Sequence, residues 1–368
     1  MFDTSASFSS DYQEARSKFL KEATAVGGLV DAISHPERGP DGRPLFTDVA
    51  AFGLDKADKV LVLISGTHGA EGFCGSGAQI DLLRRGEIAR LPKGVGILMI
   101  HGINPYGFAW LRRVTNENID LNRNWIDFNQ PLPQNPTYSD LHASICPQTW
   151  KAETKNVSWQ VIESFTEKHG FAALQQAISG GQYSHPSGLF FGGTAPSWSR
   201  LTQERIFSNY LTHAERVAVI DYHSALGPWG FAEQMIIAPK SSKQFERAAE
   251  WYGSAATSVI DGASSSAKVG GSGLEAVPQL LPQAEVTCMA FEVGTVSPLE
   301  VLSAMQADCW LHTHGDPQSA EAAPIKAEIR RCFYGDVDDW KGMVTGQSLL
   351  AVRQTLIGLD SRGCARKG

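Results

Sequence analysis

Thr67-His68-Gly69-Ala70-Glu71 sets an imidazole and a carboxylate three residues apart on a glycine-flanked turn, where both can point at one cation. Catalytic zinc commonly takes two His and one Glu, leaving its fourth position for water. HxxE alone recurs by chance, and a capped helix start with His68 in a loop reads the same way. Asp221-Tyr222-His223-Ser224 offers a second imidazole far along the chain, at the end of an apolar run. Taken singly, His223 suits a satisfied core histidine better. Met289-Ala-Phe-Glu292-Val-Gly-Thr295 places a carboxylate at the end of another apolar run. That placement is costly unless the group is paired or beside a metal, and it suits a general base of raised pKa. A salt-bridged structural glutamate is the alternative. Between these segments, Asp120, Asn122 and Arg123 crowd together, with Arg112 and Arg113 just upstream. Arginine forks bind carboxylates bidentately, and Asp120 can take the second ring proton of a ligating histidine. A surface ion-pair cluster would look alike.

These groups need elements to aim them. Lys59–Ser65, Val95–Ile100, Arg216–Tyr222, Gln234–Ala238 and Val286–Val293 are short continuous aliphatic runs, the pattern of strands buried on both faces. Helical spacing recurs over Tyr12–Ala25, Ala78–Arg85, Gln160–Ala177, Trp198–Thr212, Lys243–Thr257 and Leu299–Leu311, and the glycine-rich stretch Gly66–Gly77 reads as a loop. Strands alternating with helices predict an α/β fold: a mixed, mostly parallel twisted sheet covered by helices on both faces. His68, His223 and Glu292 all fall at or just past the carboxyl end of a predicted strand, the edge where open α/β sheets bind ligands. No linker or repeat divides residues 1–368, so a single domain is expected, its core about 59–295 with helical elaborations at both ends.

Composition narrows the function classes. A net charge of −7 and only isolated basic pairs argue against nucleic-acid binding. No apolar stretch is long enough to span a bilayer. The N-terminus lacks a basic segment followed by an apolar run, so no secretory signal is expected. Cysteines 74, 146, 288, 309, 332 and 364 contain no CxxC pair, and are expected to be reduced thiols of a cytoplasmic protein rather than a zinc cluster or disulfides.

Together, His68-Gly-Ala-Glu-Gly72, Asp120-Leu-Asn-Arg-Asn124, Asp221-Tyr-His-Ser-Ala-Leu-Gly-Pro-Trp-Gly230 and Phe291-Glu-Val-Gly-Thr295 resemble the M14 zinc carboxypeptidase superfamily. Within it they resemble carboxypeptidase-like proteins of uncharacterised function (DUF2817-like). The resemblance covers about Ser65–Thr295. It implies a zinc-exopeptidase-like fold, one Zn2+ held by His68, Glu71 and His223, and Glu292 as the catalytic glutamate of an amide-bond hydrolase. It assigns a substrate carboxylate to Asn122 and Arg123, places Asp120 behind the first histidine, and makes Arg113, or alternatively Arg112, the oxyanion donor, with the other arginine left to substrate binding. The implied substrate is a small peptide or acyl-amino acid with a free carboxylate. The short gap from Arg113 to Arg123 is more similar to the aspartoacylase and succinylglutamate desuccinylase branch, which implies deacylation of small N-acyl amino acids. Gly181–Gly193 lies outside the peptidase pattern and is expected to shape the substrate pocket. Tyr183, Tyr222 and Tyr252 are the candidates for a tyrosine covering the site.

Other readings compete less well. His312-Thr-His314 has ligand-like spacing but follows a helical pattern, so cationic or capping histidines at a helix end are expected. His101 is expected to line the pocket, with Asn104 and Tyr106 shaping its loop. No GxSxG elbow or GxGxxG turn supports a serine hydrolase or a dinucleotide site. A binding module that keeps the pocket without chemistry is the reading from another class.

Overall fold

The computed structural model describes residues 2–361; Cys364 lies outside the described residues. Eight strands form one sheet: β1 (Leu29–Arg38), β2 (Pro44–Phe52), β3 (Lys59–Ile64), β4 (Val95–His101), β5 (Arg216–Ala225), β6 (Ala232–Ile236), β7 (Ala256–Ser258) and β8 (Glu285–Gly294). Their spatial order is β1-β2-β4-β3-β5-β8-β6-β7. The middle four, β4-β3-β5-β8, run parallel, whereas β2 and β6 join them antiparallel. The sheet is thus mixed and mostly parallel at its centre, as the continuous aliphatic runs predict.

Helices cover both faces. One face packs Phe19, Ile80, Leu83, Tyr252, Trp340 and Val352 from the helices Tyr12–Ala25, Gly72–Arg84, Lys243–Tyr252 and Asp338–Asp360. The other packs Ile206, Phe207, Leu274 and Val277 from Trp198–Tyr210 and Gly273–Leu280. A third apolar cluster joins the helices Pro136–Ile145, Phe171–Ser179, Pro298–Thr313 and Ala322–Phe333 beyond the strand ends. Among the described residues, no helix is long and apolar enough to cross a membrane.

Three expectations change. The hairpin β1–β2 escapes sequence patterning because β1 is an edge strand with almost no buried residue and a proline inside it. The helical pattern over Gln160–Ala177 is two helices, Ala152–His169 and Phe171–Ser179, parted at Gly170, whose φ of +85° ends the first. The glycines of the supposed loop Gly66–Gly77 are largely helical, since the helix already starts at Gly72. A Cβ on Gly75 would lie 2.7 Å from Ser65 Cβ and 2.8 Å from Tyr222 Cβ, and one on Gly72 would lie 2.6 Å from the Phe108 ring. Glycine is there for contact: it lets this helix lie directly on β3 and β5.

The strand order has a functional consequence. β3 and β5 are neighbours, and the chain leaves β3 for β4 on one side but leaves β5 for β6 and β8 on the other. The carboxyl ends of β3 and β5 therefore border a crevice at a topological switch point. Register completes the placement: His223 pairs with Glu292 across the parallel β5–β8 ladder, and Asp221 pairs with Ile64 on β3.

Gly75→Ala is expected to lower unfolding free energy by about 1–3 kcal/mol, because the methyl meets Cβ atoms fixed to two strands rather than a flexible side-chain end. Denaturant titration reads this directly; an unchanged midpoint would show that the helix does not depend on that contact.

Candidate active site

Each ligand candidate is positioned by its own local device. His68 is extended at the end of the segment following β3, and Gly69–Glu71 then makes one 3-10 turn into the helix Gly72–Arg84. The turn seats against the chain at Gly107, where a Cβ on Gly69 would come within 1.9 Å of a backbone carbon. Two backbone bonds, Gly69 N to Arg113 O at 3.1 Å and Ala70 N to Arg112 O at 2.8 Å, lock the turn to the arginine segment. His223 lies inside β5, which runs on to Ala225, three positions past the strand end that the sequence suggests. Alternation along a strand puts Asp221 and His223 on one face and buries Tyr222 on the other.

Three donor atoms converge. His68 Nδ1 lies 2.9 Å from Glu71 Oε1, His223 Nδ1 lies 2.9 Å from Glu71 Oε2, and the two Nδ1 atoms are 3.2 Å apart. All three residues are buried, and these are the described His, Cys, Asp and Glu side chains whose donor atoms gather closely enough to hold one ion. The opposite ring nitrogens meet carboxylates: His223 Nε2 is 2.9 Å from Asp221, and His68 Nε2 is 3.3 Å from Asp120. At His223 an Nε2 proton given to Asp221 leaves the Nδ1 lone pair facing the common centre, the arrangement in which histidine ligates metal, and His68 takes the same form once Arg113 Nη2 turns away from its Nε2. Two lone pairs and a carboxylate oxygen aimed at one point repel each other unless a cation lies between them. Two His and one Glu match catalytic zinc chemistry, so the residues fit one Zn2+.

Electrostatics agree. Glu71, Asp120, Asp221 and Glu292 bring four carboxyl groups into one buried region. Burial pushes the Glu71 carboxyl up, but His68 and His223 outweigh it and hold the group well below the usual range. Burial would lower His223, but Asp221 and Glu71 hold it well above the ordinary histidine value. The site therefore attracts positive charge, which protons supply when no metal does. Glu292 differs. Desolvation, reinforced by Glu71, raises it from 4.5 to about 7, with His223 and a Leu226 N–H bond of 2.9 Å pulling the other way.

Arg113 reaches the same centre. Its Nε donates to Asp120 Oδ2 and its Nη1 to Glu71 Oε1, both at 2.9 Å, and Nη2 is 2.9 Å from His68 Nε2. Asp120 is a hub: it also caps the turn Leu121–Arg123 by accepting from Asn122 N at 2.9 Å. Arg123 gives Nη1 to Asn122 O at 2.7 Å and Nε to Ser179 O at 3.1 Å, and Nη2 also bonds Ser179 O. Three of its five N–H groups are thus committed and two remain. Phe190 stacks over both guanidinium groups, its centroid 5.3 Å from Arg113 and 5.4 Å from Arg123. It holds a φ of +54°, rare for an aromatic residue and a mark of a constrained loop.

A cleft opens over these groups with about 1100 Å3 of empty space, its mouth included. His68, Glu71, Arg113, Asn122, Arg123, His223 and Glu292 line one part. Leu174, Ile178, Met235, Ile237, Leu302 and Met305 line much of the rest, and Phe171 and Leu299 at its wall are 43% and 45% exposed.

Several expected site residues lie elsewhere. Arg112 is absent from the cleft lining; it is buried against Asp308 at 3.1 Å, in an ion cluster with Lys326. His101 is buried in the core, stacked on Phe19 and 2.9 Å from Ser76 Oγ. Tyr222 and Tyr252 bond Ser348 and Thr355 inside the core, Tyr183 bonds Arg123 O, and no tyrosine lines the cleft. His312 does end a helix, but burial lowers it to about 3, so it is neutral rather than cationic. Asn104 caps the loop helix Pro105–Ala109 as expected. Sequence reading passed over two groups. Asp221 was detectable from its two-residue spacing to His223 on a strand. The apolar walls from Phe171–Ser179 and Pro298–Thr313 were not, because those helices read as ordinary amphipathic ones.

A family model described as "Protein of unknown function (DUF2817)" matches residues 8–347. No curated protein matches the sequence. Among solved structures, bovine thrombin-activatable fibrinolysis inhibitor, determined with tick carboxypeptidase inhibitor, superposes with a TM-score of 0.51 at 11% identity over 96% of this chain and 97% of that one. A metallo-carboxypeptidase from Burkholderia cenocepacia gives 0.47 at 11% identity, over 94% and 68%, and carboxypeptidase A from Helicoverpa armigera gives 0.43 at 12%, over 87% and 73%. The first superposition, over nearly the whole of both chains, shows a shared fold.

Asp221→Ala removes the carboxylate behind His223 and is expected to weaken zinc binding by roughly 10–100-fold. Competition with a chromophoric chelator measures it; an unchanged affinity would mean that Asp221 does not orient the imidazole.

Proposed function

We propose that this chain, which belongs to the DUF2817 family, is a zinc-dependent hydrolase that cleaves an amide bond next to an apolar group. One observation carries the reading: the donor atoms of His68, Glu71 and His223 converge beside Glu292, the register partner of His223. When bound, zinc would lower the pKa of water towards ~7 and polarise the scissile carbonyl.

The chain's own groups do the rest. Glu292, neighbour to the ligand set and raised by burial, accepts a proton from the attacking water and returns it to the leaving amine nitrogen. Arg113 now neutralises Glu71, a task that a cation would take over. Its Nη groups are then free to donate to the developing oxyanion, an interaction worth about 10²–10³ in rate. Asp120 holds Arg113 through Nε throughout. Asn122 and Arg123 line the cleft, and the two uncommitted N–H groups of Arg123 suit a substrate carboxylate. Phe190 covers both guanidiniums and limits water around them.

Substrate choice follows from the walls. Small diacid acyl groups need several cations, whereas the walls beyond Arg113 and Arg123 are mostly aliphatic and aromatic, with Gln175, Ser179, Ser266 and Ser272 polar but uncharged. The cleft therefore favours a short peptide or N-acyl amino acid with a sizeable apolar group beside the scissile bond, each buried methylene contributing roughly 0.8 kcal/mol. An intact ligand set with a base beside it supports an enzyme over a binding module.

Glu292→Gln is expected to keep one zinc per chain and lose about 10²–10⁴ in kcat. Metal analysis with a hydrolysis assay on N-acyl amino acids and short peptides tests this; retained turnover would remove Glu292 from the chemistry. The base works deprotonated, so kcat/KM should rise with pH through the Glu292 pKa. A bound cation pulls that pKa down from about 7, so the acid limb should fall between 4.5 and about 7. A limb below pH 4.5 would assign it to another group.

A further inference from the structure

Two cysteines that the proposed chemistry does not use converge beyond the cleft. Cys146 follows the helix Pro136–Ile145, and Cys309 sits within Pro298–Thr313; their sulfurs are 3.8 Å apart. Both hold the loop that carries Phe190. The Leu189 N–H donates to Cys146 Sγ at 3.4 Å, and the single Cys309 S–H is shared between two acceptors, Ser187 O at 3.1 Å and Cys146 Sγ at 3.8 Å. Both thiols line a surface cavity with His142, Gln148, Trp310 and His314, whereas Cys74 and Cys288 are sealed in the core.

We propose that Cys146 and Cys309 form a redox modification site, oxidised to an intramolecular disulfide by small disulfides of the glutathione class, and that oxidation loosens the Phe190 loop. The two sulfurs are chemically unequal. The Cys309 hydrogen bond, helped by His142 and Leu189 and opposed by burial, draws the Cys146 thiol well below its usual range. The same bond, with burial, drives Cys309 up. Cys146 is also the half-buried one of the pair, Cys309 being buried, so Cys146 is the attacking thiol.

The exchange balances without another reactant. The Cys146 thiolate attacks one sulfur of the small disulfide, forming a mixed disulfide and releasing one small thiolate. Cys309 gives its proton to that thiolate and attacks Cys146 Sγ, breaking the mixed bond and releasing the second small thiolate, which takes a proton from water when Cys146 begins as the thiolate. Two protein thiols are oxidised and one disulfide is reduced to two thiols. The sulfurs must close from 3.8 Å to the about 2.05 Å of a disulfide. Cys309 then has no proton for Ser187 O, and the loop loses that tether.

The test uses the whole chain with Cys364→Ser, which removes a competing thiol, incubated folded with oxidised glutathione, alkylated and peptide-mapped. The expected result is a peptide pair linked through Cys146 and Cys309 with loss of those two free thiols. Adding Cys309→Ser should trap glutathione on Cys146, and adding Cys146→Ser should leave Cys309 unmodified. Amide exchange over Gln182–Phe191 should speed up several-fold in the oxidised form and return on reduction. Absence of the cross-link, or glutathione on Cys309 when Cys146 is replaced, overturns the site; a cross-link with unchanged exchange overturns the coupling to the loop. None of these readouts depends on the proposed hydrolysis.

Discussion

Everything at the site follows from one electrostatic constraint: buried carboxylates need positive charge within a few ångströms. Glu71 is almost wholly buried, and an unpaired ion there would cost several kcal/mol. Two unit charges 4 Å apart interact by about 4 kcal/mol at an effective dielectric of 20, enough to offset much of that cost. Arg113 and His223 supply the charge here, and a divalent cation would supply it more compactly. Glu292 is set apart because its main-chain partner is a single N–H, so burial dominates and the group stays basic enough to move a proton near neutral pH.

The fold meets that constraint through close backbone approach. Gly69 lets the ligand turn seat against Gly107, and Gly75 lets the following helix lie on β3 and β5. Without these contacts the turn bearing His68 and Glu71 would stand away from the strand bearing His223. Backbone bonds from Gly69 and Ala70 then tie the turn to Arg112 and Arg113. The two arginines leave that segment in different directions: Arg113 enters the cleft, and Arg112 joins Asp308 and Lys326 in anchoring the helix Pro298–Thr313, which forms one apolar wall. The candidate metal-ligand turn, the proposed oxyanion donor and one apolar wall of the cleft are thus set by one short stretch of chain.

Much of this was legible in the sequence. Continuous aliphatic runs mark the four parallel strands because a strand covered on both faces buries nearly every side chain, so that a polar one there needs a partner. That rule exposed His223 and Glu292, which interrupt such runs. The edge hairpin β1–β2 follows no such rule, being half solvated, and the glycines of the helix Gly72–Arg84 look like a loop unless the strands they touch are known. His101 shows the limit of strand-end reasoning: β4 also ends in a histidine, yet its ring stacks in the core.

By itself, then, the sequence determined the α/β class and the chemical types at the strand ends, a candidate metal-ligand set among them, because periodicity and burial cost act locally along the chain. Tertiary structure alone decided which of two adjacent arginines meets the site, which aspartate backs His223, that the cleft is walled by apolar helices, and that Cys146 meets Cys309. Each of these depends on contacts between segments far apart in the chain, where direction and distance are set by packing rather than by spacing.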